Sequence, residues 1–156
     1  MPRIQINNLS VEYPGHAALK NISVGIPDGM ITAVIGPSGC GKSTFLKSIN
    51  RLIDLVDGVH VSGSVLVDGM NVYDRHADIL SLRRKLGFLL QRPYPLPRSI
   101  FENVALGTRI HEMTSEELAA LHIPATAIGT APGADPGLRA QRRLLVHRCL
   151  ELAGLW

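Results

Sequence analysis

The sequence predicts an α/β domain, and three observations carry that prediction. A short continuous apolar run, Met30 to Ile35, is rich in β-branched residues, as suits a strand buried on both faces of a parallel sheet. A glycine-rich stretch, "GPSGCGKST" (Gly36 to Thr44), follows at once. The next segment, Lys42 to Leu52, places Phe45, Leu46, Ile49 and Leu52 at helical spacing, giving an apolar stripe that packs against a sheet.

The other elements follow in chain order. Residues 3 to 26 read as strands, because Ile4 and Ile6 alternate with polar neighbours and so do Ile22, Val24 and Ile26. Pro14-Gly15 and Asp28-Gly29 mark turns. "GSVLVDG" (Gly63 to Gly69) is another alternating strand closed by a turn, and "LGFLLQ" (Leu86 to Gln91) reads as a second buried strand before the proline-rich "RPYPLPRS". "TSEELAAL" opens a helix with Thr114 and Glu117 spaced as a capping box. His122 to Gly137 is a long Pro/Gly/Ala loop, and Leu138 to Ala153 a final helix. Its Arg139, Arg142, Arg143 and Arg148 read as a solvated face.

Composition narrows the functional classes. With 156 residues, 46% hydrophobic and 19% charged, the chain is long and apolar enough for one packed domain. A formal charge of +3 and 4% aromatics argue against a dedicated nucleic-acid surface. Cys40 and Cys149 have no metal-type spacing and read as reduced thiols. The polar, alternating N-terminus does not read as a signal peptide. No apolar run reaches bilayer length, so a membrane role is expected to be peripheral.

The glycine stretch fits G-x-x-x-x-G-K-[ST], with Gly36, Gly41, Lys42 and Ser43 at the defining positions. A polyphosphate is a dense anion that needs many donors converging on it. Glycines let the chain turn its N–H groups inward and remove the Cβ atoms that would hold phosphates away. The helix starting near Lys42 directs its partial positive end at the same place. Lys42 adds a point charge for the β- and γ-phosphates, and Ser43 a hydroxyl for Mg²⁺. Two further residues admit two readings each. Gln91 either carries an amide to a metal ion or water beside the γ-phosphate, or merely ends a strand before Pro93, Pro95 and Pro97. Tyr13 either stacks on an adenine face or is an ordinary half-buried tyrosine.

Together these residues resemble the nucleotide-binding subunits of ABC transporters. Tyr13 matches the aromatic that stacks on adenine, Gly36 to Thr44 the Walker A loop, and Gln91 the Q-loop glutamine. "HAALKNISVGIPDG", "GPSGCGKST" and above all "QRPYPLPRSIFENVALG" (Gln91 to Gly107) look like the ATPase subunits of the bacterial phosphate-importer branch. The resemblance runs from about Ile4 to Gly107 and resumes weakly at "LELAGLW"; the His122 to Gly137 loop departs from it.

The resemblance implies a P-loop NTPase fold of ABC type, present as its N-terminal half. That half comprises an antiparallel β subdomain, part of a central parallel sheet and part of a helical subdomain. Residues 1–156 would be a partial nucleotide-binding domain: 1–107 the Walker A and Q-loop part, and 108–156 the start of the helical subdomain, ending before the signature motif. It further implies ATP and Mg²⁺ as ligands, with Gly36, Pro37, Ser38, Gly39, Cys40, Gly41, Lys42, Ser43 and Thr44 around the phosphates. Thr44 would meet the α-phosphate, Ser43 and Gln91 the metal, and Gln91 would serve catalysis by sensing the γ-phosphate. The implied partners are transmembrane permease subunits and a second ATP-binding subunit, at the cytoplasmic face of the inner membrane. Two other classes stand beside this one: a different P-loop enzyme such as a small-molecule kinase, and a non-catalytic nucleotide-binding fragment.

Walker B, the signature and the switch histidine are not found: no L-S-G-G-Q occurs, and no apolar run ends in Asp-Glu. His111, His122 and His147 read as surface or loop residues. With strands of the family's sheet missing, Met30 to Ile35 would keep unpaired backbone beside an apolar flank, so poor solubility or a molten character is expected. A missing general base costs about 10²–10⁴ in rate, and missing charge stabilisation of a transferring phosphoryl group about 10³–10⁵. The 156-residue chain alone is therefore expected to turn over ATP negligibly, which a steady-state phosphate-release assay checks.

Overall fold

The computed structural model describes residues 2–92, 94–110, 119 and 136–154. The chain divides into two compact units, residues 1–89 and 90–156.

The first unit is built on an antiparallel sheet of β1 (Pro2–Tyr13), β2 (His16–Pro27), β3 (His60–Val67) and β4 (Met70–Asn71), in the order β2-β1-β3-β4. Tyr13 pairs with His16 across the Pro14-Gly15 turn, and Gly15 takes a φ of 75°. β1 buries Ile6, Leu9 and Val11 completely. Ile6 and Leu9 are an odd number of residues apart, so strict alternation would send them to opposite faces. A bulge resolves this. Between Ile6 and Leu9 the pairing to β2 shifts from Ile6↔Val24 to Leu9↔Ile22, and the extra β1 residue restores the inward face. A compensating shift follows between Leu9↔Ile22 and Val11↔Leu19.

Asn8 and Asn21 carry these irregularities with φ of 50° and 51°, the left-handed region that asparagine tolerates. Their amides are satisfied across the strands: Asn8 N–H donates to Ser23 Oγ at 2.8 Å, and Asn21 N–H to Ser10 Oγ at 2.9 Å. β3 answers the β1 bulge with Gly63, at φ 91°. A Cβ there would run into the Asn8 carbonyl and stand 2.7 Å from the Asn7 carbonyl oxygen, so the neighbouring backbone admits only glycine.

Helix α1 (Lys42–Ile49) lays Phe45 and Ile49 on this sheet, where they join Ile6, Leu9, Val11, Leu19, Ile53, Val65, Val67 and Val72 in one core. The helix is shorter than the Lys42 to Leu52 expected from spacing. Arg51 adopts φ 58°, Asn50 Oδ1 accepts from Leu52 N–H, and a 3₁₀ turn, Leu52–Leu55, begins instead. Leu46, expected in the buried stripe, is exposed. Helix α2 (Ile79–Lys85), which spacing did not reveal, starts at Asp78. That carboxylate accepts from the Leu80 and Ser81 amides, and its hydrogen bonds to Ser81 hold its pKa below the usual value.

The buried strands expected at Met30 to Ile35 and Leu86 to Gln91 are not observed. Neither segment pairs with a strand among the described residues. Met30, Ile31 and Ile35 are 70%, 101% and 92% exposed, and Leu89 is 95% exposed. The physical reason is that a strand interior needs ladder partners on both edges. The described residues supply an antiparallel sheet and no parallel pairing for these two runs.

The second unit holds α3 (Ile100–Val104), α4 (Leu106–Ile110) and α5 (Pro136–Leu152), with Ala105, Leu145 and Val146 buried. α3 packs against α5. α5 lies close to the expected Leu138 to Ala153. Arg143 is exposed and Arg148 pairs with Glu151 at 2.9 Å, as a solvated face requires. Arg142 departs from that face: it is half-buried. The capping-box helix at Thr114 and most of the His122 to Gly137 loop lie outside the described residues, as do His111, His122 and Pro93.

Gly63→Ala should lower stability by about 2 kcal/mol or more, from left-handed strain plus backbone collision. Urea unfolding followed by far-ultraviolet circular dichroism measures it, and a change within about 0.5 kcal/mol of wild type, the range of an ordinary surface substitution, would contradict the bulge account.

Candidate functional site

The glycine loop from Gly36 to Thr44 joins an exposed approach segment to helix α1. Each of its three glycines has a geometric cause. Gly39 and Gly41 take φ of 82° and 93°, values that side-chain-bearing residues avoid. A Cβ on Gly41 would also stand 2.8 Å from the Ala18 carbonyl oxygen and 2.8 Å from Leu19 Cδ2, both on β2. A Cβ on Gly36 would stand 2.8 Å from Cys40 Sγ. Gly41 thus lets the helix start press directly onto the sheet. Pro37 O accepts from Cys40 N–H at 3.5 Å within the loop, and Phe45 N–H donates to Gly41 O at 2.8 Å to open the helix.

The helix start is electrostatically bare. Gly41 offers no side-chain cap, and the first turn contains no acidic residue. The leading amides of a helix have no intrahelical acceptor, so Lys42, Ser43 and Thr44 bring a positive helix end to the loop. Lys42 adds its ammonium. Nζ donates to the Gly36 and Pro37 carbonyls at 2.7 and 2.6 Å and lies 3.6 Å from Cys40 Sγ. The charge is held across the loop by these two backbone carbonyls.

Ser43 is exposed, whereas Thr44 is buried with Oγ1 3.2 Å from Tyr13 Oη. Tyr13, at the end of β1, is half-buried and packed against the core. The structure therefore brings Tyr13 and the glycine loop together. Pro37, Ser38, Gly39 and Cys40 lie exposed on the loop. Gln91 is exposed in a bend of the second unit.

Among the described residues no group of three His, Cys, Asp or Glu side chains forms a metal site. The exposed Ser43 hydroxyl beside the bare helix end fits a different arrangement. Mg²⁺ usually keeps several waters and takes one or two protein ligands plus substrate phosphates.

Three residues that organise the two units went unread in the sequence. Tyr73 donates to the Ser48 carbonyl in the last turn of α1, and Arg83 to the Asn50 and Arg51 carbonyls just past its end. Asn103 clamps the end of the proline-rich stretch: its Oδ1 accepts from Leu96 N–H at 2.8 Å, and its Nδ2 lies within 3.1 Å of the Leu96, Arg98 and Ser99 carbonyls. A capping box between Ser99 and Glu102 then starts α3. The S-x-x-E spacing was the legible signal for that box; the asparagine gave none.

A glycine loop that turns into an uncapped helix start, with a lysine at its first helical position, defines a P-loop nucleotide-binding protein. The ABC transporter family model matches residues 19–146, the greater part of the chain. The chain belongs to the ABC transporter family, which leaves no place for the small-molecule kinase reading. It is similar to the phosphate import ATP-binding protein PstB of Colwellia psychrerythraea, 54% identical over 107 residues. That match covers 69% of this chain and 38% of the relative, so the chain spans well under half the length of the protein it matches. No described helix is long and apolar enough to cross a membrane.

Asn103→Ala should free the 96–99 backbone. The Leu96 amide loses its acceptor and should exchange hydrogen about tenfold faster, the equivalent of about 1.4 kcal/mol; an unchanged rate would contradict the clamp.

Proposed function

We propose that this chain binds ATP with Mg²⁺ at Gly36–Thr44, as the nucleotide-binding part of an ABC import system for inorganic phosphate. The observation that carries the reading is the bare start of α1, where Gly41 serves as an N-cap without a side chain and Lys42 spans the loop carbonyls. Gly36, Gly39 and Gly41 give phosphates access to backbone amides, and Pro37, Ser38 and Cys40 complete the loop around them. Lys42 exchanges its carbonyl partners for β- and γ-phosphate oxygens. Ser43 supplies a hydroxyl to Mg²⁺, Thr44 meets the α-phosphate, and Tyr13 offers its ring to adenine. Gln91 senses the γ-phosphate and the metal in catalysis. Mg²⁺ would neutralise charge between the β- and γ-phosphates.

Phosphate as the transported solute rests on the similarity to the named import protein. In the complete system the partners are transmembrane permease subunits and a second ATP-binding subunit, and the chain sits peripherally on the cytoplasmic face of the inner membrane.

Titration with a fluorescent ATP analogue and Mg²⁺ should give saturable binding to the wild-type chain. Lys42→Ala should weaken it at least about tenfold, the scale of about 1.4 kcal/mol for a charge-assisted contact. Absence of saturable binding to wild type would overturn the reading.

A further inference from the structure

Helix α1 has only eight residues, and a helix of two turns is marginal without tertiary support. Its leading amides face the phosphate loop. The carbonyls at its trailing end need donors from elsewhere, and two side chains beyond β3 provide them. Tyr73 Oη donates to Ser48 O at 2.8 Å. Arg83 Nη2 donates to Arg51 O at 2.8 Å, and its Nε to Asn50 O at 3.2 Å. Arg83 comes from α2, so the connection ties one helix to the end of another.

The tie is itself braced. The Arg51 guanidinium lies 5.3 Å from the Tyr73 ring centroid, pairs with Asp54 at 2.7 Å, and donates to Val72 O at 3.2 Å. Burial, reinforced by the Asp54 carboxylate, pushes the Tyr73 hydroxyl up to about 12. Tyr73 therefore keeps the proton it donates to Ser48 O.

We propose that Tyr73 and Arg83 are positioning residues for nucleotide binding, holding the Ser48 carbonyl in the last turn of α1 and the Asn50 and Arg51 carbonyls just past its end so that the Lys42, Ser43 and Thr44 amides stay aimed at the phosphate site. The inference rests on the nucleotide reading of that loop. Neither side chain touches the loop; both act through the helix. A cation at a helix C-terminus also complements the dipole whose positive end faces the phosphates.

The test uses the full chain with Arg83→Met, Arg83→Lys and Tyr73→Phe. Without ligand, the α1 amides from Phe45 to Ile49 should exchange hydrogen about three- to tenfold faster in Arg83→Met, the range of a partly buried helix-end contact. The β1 and β3 amides should stay unchanged. Magnesium ATP should bind Arg83→Met about three- to tenfold more weakly, AMP should lose less, and Arg83→Lys should recover part of the loss. Unchanged exchange in α1 overturns the tie. Wild-type ATP affinity in Arg83→Met, or an equal loss for ATP and AMP, overturns the positioning role. If Arg83→Met fails to fold, Tyr73→Phe carries the same comparisons, because it removes one donor and keeps the ring. No saturable ATP binding to wild type would instead bring down the nucleotide reading, while the exchange measurement still decides the tie on its own.

Discussion

The contact on which the candidate site depends is the approach of Gly41 to β2. At that point the helix start stands so near the Ala18 carbonyl and the Leu19 side chain that a methyl group would collide with both. The close fit does two things at once. It lets Phe45 and Ile49 reach the core formed by Ile6, Leu9 and Val11, and it fixes the direction of the amides that follow. Packing and the direction of the leading amides are thus set by the same missing side chain. A residue with a Cβ would have to lift the helix off the sheet, loosening the core and turning the amides away together.

Charge around the loop is held by backbone groups. The Lys42 ammonium is satisfied by two carbonyls of its own loop, so its position is defined before any ligand arrives. These bonds are charge-assisted on the lysine side only; an anionic acceptor would add a direct charge–charge attraction that a carbonyl dipole lacks. The absence of an acidic residue in the first turn of α1 means no carboxylate competes for the helix end. The ammonium thus rests on two backbone dipoles of its own loop.

How much of this was legible in the sequence follows from which interactions are local. The glycine loop, the helix start at Lys42 and the β1–β2 hairpin were readable, because turn chemistry and spacing encode them within a few residues. The asparagine bulges were not. Ile6 and Leu9 break simple alternation, and only the cross-strand hydroxyls of Ser10 and Ser23 show why both point inward. The short helices α2 and α3 were missed because five to seven residues show little periodicity, although their caps at Asp78 and Ser99 were visible in principle. Met30 to Ile35 and Leu86 to Gln91 misled for the opposite reason. Their apolar composition states what they would bury against, and composition cannot supply the neighbouring strands.

That last mismatch clarifies what holds the loop. The run immediately before it, Met30 to Ile35, is exposed and unpaired among the described residues, yet Gly36 to Thr44 still takes a definite cradle shape. Its anchors come from elsewhere: β2 beneath Gly41, the Tyr13 hydroxyl on Thr44, and the side chains that close the far end of α1. All of these belong to the antiparallel sheet and its connections, apart from the strand that P-loop architecture places before the loop. The glycine loop is therefore shaped from the side and from behind. The preceding segment contributes its covalent connection, and the loop's geometry is carried by contacts that the loop motif itself does not contain.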